Sequence, residues 1–232
     1  MSQYQQIREE ACLANKQLPV LGLVIFNFGN VSVADQRNGV FAIKPSGIPY
    51  EELLPEKMVI VDFEGKTIEG NLKPSSDTHT HAVLYKTWGN IGSVVHTHSM
   101  YATAWAQAQR AIPIYGTTHA DHFKGPIPCT STMDDTLIRG NYEYETGNQI
   151  VNYLTDNKIS YEEVEMILVG CHAPFTWGKN AAKALYNSAV LEYIAKMALL
   201  TEQINPGANT LKSELIKKHF ERKHGPDAYY GQ

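Results

Sequence analysis

Cysteine is scarce in this chain of 232 residues: Cys12, Cys129 and Cys171 are odd in number, far apart and without a CxxC pair. That excludes a disulfide framework and a cysteine-rich zinc site, so any metal must be held by histidines and carboxylates. No apolar run reaches the roughly 18 residues a membrane span needs, so no membrane partner is expected. Positive charge is not in surplus, since 20 Lys and Arg stand against 24 Asp and Glu. A broad basic footprint for nucleic acid is therefore not expected. The one basic stretch, Lys217, Lys218, Arg222 and Lys223, alternates with apolar and His positions and reads as a helix face suited to an anionic substrate. Neither GxxxxGK[ST] nor GxGxxG occurs, which removes the nucleotide P-loop and the dinucleotide fold. Residues 1–16 lack the apolar core and small-residue cleavage site of a secretory signal, so a cytoplasmic location is expected.

With no repeat, low-complexity tract or linker, one domain over 1–232 is expected. A helix is predicted over 3–16, then strands over 21–28 and 39–43 separated by the turn-forming stretch 35–39. Glu64-Gly65 reads as the tip of a hairpin between 58–63 and 66–69. Short polar residues ending at Asp77 open a helix over 78–88. A strand over 93–98, a helix over 101–110, a strand over 165–170 and a long helix over 181–202, buried on most sides, complete the pattern. The alternation implies an α/β protein whose sheet is covered by helices.

His96-Thr97-His98 is the sharpest local signal. In a strand, residues two apart share a face, so both imidazoles would project together and share one ion. His79 and His81 have the same spacing inside a helix, where it separates the side chains. Asp77 precedes this pair of segments and His172 follows the strand at 165–170; three imidazoles and a carboxylate suit zinc. Asp77 also reads as a helix N-cap, and His172 as a buried hydrogen-bonded histidine. Cys171 would face away from its neighbour as a small core residue. A second group suits an anion: Gly29-Asn30-Val31-Ser32, Lys44-Pro45-Ser46-Gly47, and Ser75-Ser76 ahead of a helix whose free N–H groups favour phosphate. Each alone is also what an ordinary turn contains.

Taken in order, these runs, together with Gly116-Thr117-Thr118-His119-Ala120-Asp121, Pro174-Phe175-Thr176-Trp177-Gly178-Lys179, Lys223-His224-Gly225 and Tyr229-Tyr230-Gly231-Gln232, resemble the L-ribulose-5-phosphate 4-epimerases, which belong with the class II aldolases. The resemblance is collinear over nearly the whole chain. It implies an α/β single-domain fold with a central, mainly antiparallel sheet flanked by helices, and a homotetramer with active sites at subunit interfaces. It implies Zn2+ held by Asp77, His96, His98 and His172, and an acid/base pair of Asp121 and Tyr230. It also implies that Gly29, Asn30, Lys44, Ser46, Gly47, Ser75 and Ser76 bind a pentulose phosphate substrate. Without it, Asp121 reads as a capping residue and Tyr230 as part of a frayed tail. Ala173 stands where the family is expected to carry Gly. The related fuculose-phosphate aldolases are expected to carry Glu in place of Asp77, which favours epimerase over aldolase.

The chemistry is consistent with such a set. In a 2-ketopentose phosphate the hydrogen on the fourth carbon is not adjacent to the carbonyl, so enolisation cannot invert that centre. Retro-aldol cleavage between the third and fourth carbons can, provided the enediolate is stabilised and both fragments stay bound. The competing readings are an aldolase that releases its fragments and a non-catalytic, zinc-stabilised sugar-phosphate-binding module.

Overall fold

A computed structural model describes residues 2–225 and 228; Tyr230 lies outside them. Among these residues seven strands, β1 (Asn30–Asp35), β2 (Val40–Ile43), β3 (Val59–Asp62), β4 (Thr67–Glu69), β5 (Ser93–His96), β6 (Met166–Leu168) and β7 (Pro174–Gly178), form one sheet in the order β4-β3-β2-β1-β5-β7-β6. All neighbouring pairs are antiparallel. The helices are α1 (Gln5–Val20), α2 (Thr78–Thr87), α3 (Met100–Gln107), α4 (Thr117–Ala120), α5 (Asp135–Ile138), α6 (Tyr142–Asp156), α7 (Ala181–Ile204) and α8 (Ser213–His224). None of the described helices is long and apolar enough to cross a membrane.

Because successive strand residues point to opposite faces, each strand feeds two apolar layers. Val31, Val33, Ala42, Ile60 and Val95 pack with α1 on one side. Phe41, Ile43, Val59, Val61 and Val94 pack with α2 and α6 on the other. A third cluster joins α3 and α7 to Met166 and Leu168 of β6. The alternation places His96, two residues beyond Val94, on the α2 side of the sheet, where its ring stacks on Phe175 of β7 at 4.1 Å between centroids.

Several expectations need correction. The strand expected over 21–28 does not form. Its amides are used in turns that run from the end of α1, and Gly22 and Phe26 take positive φ. Only Leu23 of that apolar stretch is deeply buried, while Ile25, Phe26 and Phe28 are exposed. Pairing begins instead at Asn30, opposite His96. The strand expected to reach His98 stops at His96. The helix expected over 3–16 continues to Val20, with Pro19 in its last turn. The long helix α7 buries one side only, since Tyr186, Tyr193 and Ile204 are exposed. Cys171 is exposed rather than part of the core. Four elements had no counterpart in the sequence reading, α4, α5, α6 and β7.

Candidate functional site

The ends of β5, β7 and the turn after β6 bring His96, His98 and His172 to one place. One nitrogen from each lies within 4.8 Å of the others, a group able to hold a metal ion. His98 reaches it from just past the strand end, with its ring centroid 5.0 Å from that of His96. The Pro174 carbonyl lies 3.0 Å from His96 Nδ1. A carbonyl only accepts, so Nδ1 carries the proton and Nε2 keeps the lone pair a metal requires. Tyr142 Oη, on the first residue of α6, stands 3.4 Å from His172 Nδ1. Burial, then the neighbouring His96 and His98, push the His172 pKa down to about 3. Burial and His96 also lower that of His98. Both rings are therefore neutral donors at physiological pH, which fits zinc or a similar divalent ion.

Asp77 does not act as the capping side chain the sequence allowed. It occupies the N-cap position of α2 but makes no side-chain cap hydrogen bond. Instead Asn30 Nδ2 donates to its Oδ2 at 2.6 Å, and Ser75 Oγ donates to the same oxygen at 3.3 Å. Burial opposes ionisation of this carboxyl, but His96, His81 and the Asn30 hydrogen bond outweigh it and hold the pKa below its ordinary value. The carboxylate lines the same cavity as the three imidazoles but stands outside their compact group. His79 and His81 separate as expected. His81 is fully buried against Ser32 at 2.7 Å, and His79 lies near the tip of the β3–β4 hairpin at Gly65.

The cavity measures about 500 Å³, and its other wall is the expected anion group: Gly29, Asn30, Lys44, Ser46, Gly47, Ser75 and Ser76 all line it. Two backbone hydrogen bonds pin the facing turns together, Ser46 N to Lys73 O and Ser75 N to Lys44 O. Lys44 is buried, donates to Asn27 O at 3.1 Å and lies over the Tyr50 ring. Burial draws its pKa down to about 8. Gly29 has φ of +75°, and a Cβ there would come within 2.9 Å of the His96 carbonyl oxygen. Glycine at this position therefore lets this turn press against the end of β5. Pro45, inside the expected run 44–47, lines the cavity too, and Asn27, Phe28, Tyr142 and Glu143 also line it and were not anticipated. Tyr142 and Glu143 belong to the unread helix α6, so only an earlier recognition of that helix would have brought them forward. Ala173 is buried with no positive φ, so its methyl group is accommodated without backbone strain.

Asp121 is not brought to this cavity. It sits at the end of α4 and is gripped by α8: Arg222 Nε and Nη2 donate to its two oxygens at 3.1 and 2.9 Å, and His219 Nδ1 lies 3.0 Å away. Burial opposes its ionisation, but the hydrogen bonds from Arg222 and His219 prevail and lower its pKa. The capping role allowed by the sequence is not seen, because the carboxylate is committed to α8. Its expected companion Tyr230 falls outside the described residues.

Residues 9–199 match the Class II Aldolase and Adducin N-terminal domain family. L-ribulose-5-phosphate 4-epimerase UlaF of Salmonella paratyphi A is 48% identical over 228 residues, which cover 98% of this chain and 99% of that protein. The protein of the same name from Salmonella typhi matches to the same extent. Among solved structures, an L-fuculose 1-phosphate aldolase superposes with a TM-score of 0.77 at 22% identity, over 96% of this chain and 97% of that one. The L-fuculose-1-phosphate aldolase of Thermus thermophilus gives 0.65 at 20% identity, over 89% and 99%. At such identities the likeness speaks to the fold alone, an antiparallel sheet flanked by helices as the family resemblance implied.

Proposed function

The chain belongs to the Class II Aldolase and Adducin N-terminal domain family, and from that membership we propose that it is a zinc-dependent epimerase interconverting L-ribulose 5-phosphate and D-xylulose 5-phosphate. The observation that carries this reading is the meeting of three imidazoles with the Lys44 and Ser75 turns in one cavity of sugar-phosphate size. The full-length similarity to proteins of that name supports the choice of reaction.

Inversion at the fourth carbon proceeds by cleaving its bond to the third, turning the aldehyde fragment and re-forming the bond on the opposite face. Zinc held by His96, His98, His172 and Asp77 would supply Lewis-acid stabilisation of the charge that develops on the ketose oxygens. Asn30 keeps the Asp77 carboxylate aimed into the cavity. Lys44, Ser46, Gly47, Ser75 and Ser76 hold the phosphate, so the glycolaldehyde phosphate fragment cannot leave between cleavage and re-addition. Gly29 permits the close approach of the two walls. Asp121 and Tyr230 hold and return the proton of the fourth hydroxyl, one for each epimer.

Since Asp121 stands off the cavity of its own chain, this reading assigns it to the cavity of a neighbouring copy in a homotetramer. The exposed Ile25, Phe26 and Phe28, of which Phe28 also lines the cavity, are the kind of apolar surface such a neighbour covers. The whole chain, 1–232, acts as one domain and works in the cytoplasm, where phosphorylated sugars are retained.

Product analysis after incubation with L-ribulose 5-phosphate tests the reading. Accumulation of D-xylulose 5-phosphate is expected. Free glycolaldehyde phosphate in its place identifies an aldolase, and zinc-loaded protein that turns over neither way contradicts the assignment altogether.

A further inference from the structure

Of the three clustered imidazoles, only His96 is fixed by the sheet, through its pairing with Asn30 and Phe175. His98 lies just past the end of β5 and His172 in the turn between β6 and β7, where its N donates to Val169 O at 3.0 Å, so neither is seated on a paired strand and a further support is needed to set their spacing. The two segments meet the two ends of α3. His98 is followed by Ser99 and then by the first residue of that helix, Met100. At the far end, the Ala106 carbonyl accepts a hydrogen bond from Cys171 N at 2.9 Å, directly before His172. Helix α3 is thus a strut between the two imidazoles that lie outside the sheet.

The start of this strut would leave backbone N–H groups unsatisfied, because Ser99 at the N-cap makes no side-chain cap bond and the first turn carries no acidic residue. Glu192 of α7 supplies the missing acceptors. Its Oε1 accepts from Tyr101 N and its Oε2 from Ala102 N, each at 2.9 Å. A carboxylate at a helix N-terminus also meets the positive end of the helix dipole. One turn further on, Trp105 Nε1 donates to the Ala195 carbonyl of α7 at 3.0 Å, which stops the strut from rolling.

We propose that Glu192 is a positioning residue of the metal site: by clamping the N-terminus of α3 to α7 it sets the spacing of His98 and His172 relative to His96. It touches neither metal nor substrate. The inference rests on the reading of the histidines as metal ligands.

Zinc affinity, measured on metal-free protein by competition with a chromophoric chelator, tests it in the full chain. Glu192→Ala should bind zinc roughly tenfold or more weakly, the range that outer partners of metal ligands command. Glu192→Gln, which keeps one acceptor oxygen, should fall between it and the unmodified protein. Ile60→Val trims the core in β3, on the far side of the sheet order, and should lower thermal stability while leaving zinc affinity unchanged. If Glu192→Ala does not fold, the loss in Glu192→Gln relative to Ile60→Val carries the test. Unaltered affinity in the Glu192 variants, or an equal loss in Ile60→Val, overturns the proposal and leaves the metal reading standing. Unmodified protein that takes up no zinc overturns both.

Discussion

Lys44 shows how burial gives one side chain a working pH. Its pKa is drawn down to about 8 by burial, so its charge disappears as pH rises through 8 rather than near 10.5. A phosphate ester needs that charge, so KM for the sugar phosphate should climb above pH 8. Lys44→Met should have a raised KM that is flat across the same range, by an amount equivalent to about 1.5–3 kcal/mol at pH 7. Steady-state kinetics from pH 6.5 to 9.5 check both. Cys171 carries a different local cost, a φ of +60° at a residue with a side chain. Its thiol is exposed, so Cys171→Gly loses little packing. It should raise stability by about 0.5–1 kcal/mol, since relief of the left-handed conformation exceeds the added chain entropy. Urea denaturation reads the difference, and a lower midpoint counts against it. At this scale the histidines were nominated by the spacing of His96 and His98 and by the place of His172 after a strand, and the family resemblance then singled them out as a set. The bond from Asn30 to Asp77 was not, because it joins the start of β1 to the cap of α2 and exists only once the sheet has formed.

Elements were legible where period or turn chemistry was clear. The hairpin around Glu64-Gly65 and the turn at 35–39 carry turn-forming residues between short β-rich runs, and both occur as read. The stretch 21–28 misled because it is almost continuously apolar: without alternation, nothing in it separates a strand from a loop. For β7, Pro174–Gly178, the reverse holds, because all five residues are buried and a proline and a glycine bound it, so it carries no alternating signal. Helix α6 has no side-chain cap and few buried positions, Thr146, Gly147, Ile150 and Leu154 among them. Its packing explains the glycine. A Cβ at position 147 would meet Val83 of α2 at 2.7 Å and the Thr80 carbonyl oxygen at 3.1 Å. Gly147→Ala should therefore destabilise by about 1–2 kcal/mol despite alanine's better helix propensity. Because Tyr142 and Glu143 open the same helix onto the cavity, KM should change with it. A variant of unchanged stability would show that α2 and α6 yield more easily than their spacing implies.

The whole molecule divides the proposed chemistry between two places, the imidazole cavity and the α4–α8 corner that holds Asp121. No reading of a single sequence could measure that separation; the order of motifs is the same whether they meet within one chain or between two. If neighbouring copies complete the cavity, His98→Asn and Asp121→Asn proteins, each inactive alone, should regain activity when unfolded and refolded together. Random mixing of two chain types in a heterologous ring restores roughly a quarter of the sites. Refolded mixtures with no more activity than either parent would place both groups in the same chain's site. Beneath this lies the claim that the three imidazoles hold the one cation on which turnover depends. It is tested most directly by titrating metal-free protein with zinc while recording bound metal and D-xylulose 5-phosphate formation together. The account predicts activity that rises in step with occupancy and levels off at one zinc per chain. Full turnover in protein shown by elemental analysis to carry no metal would contradict it.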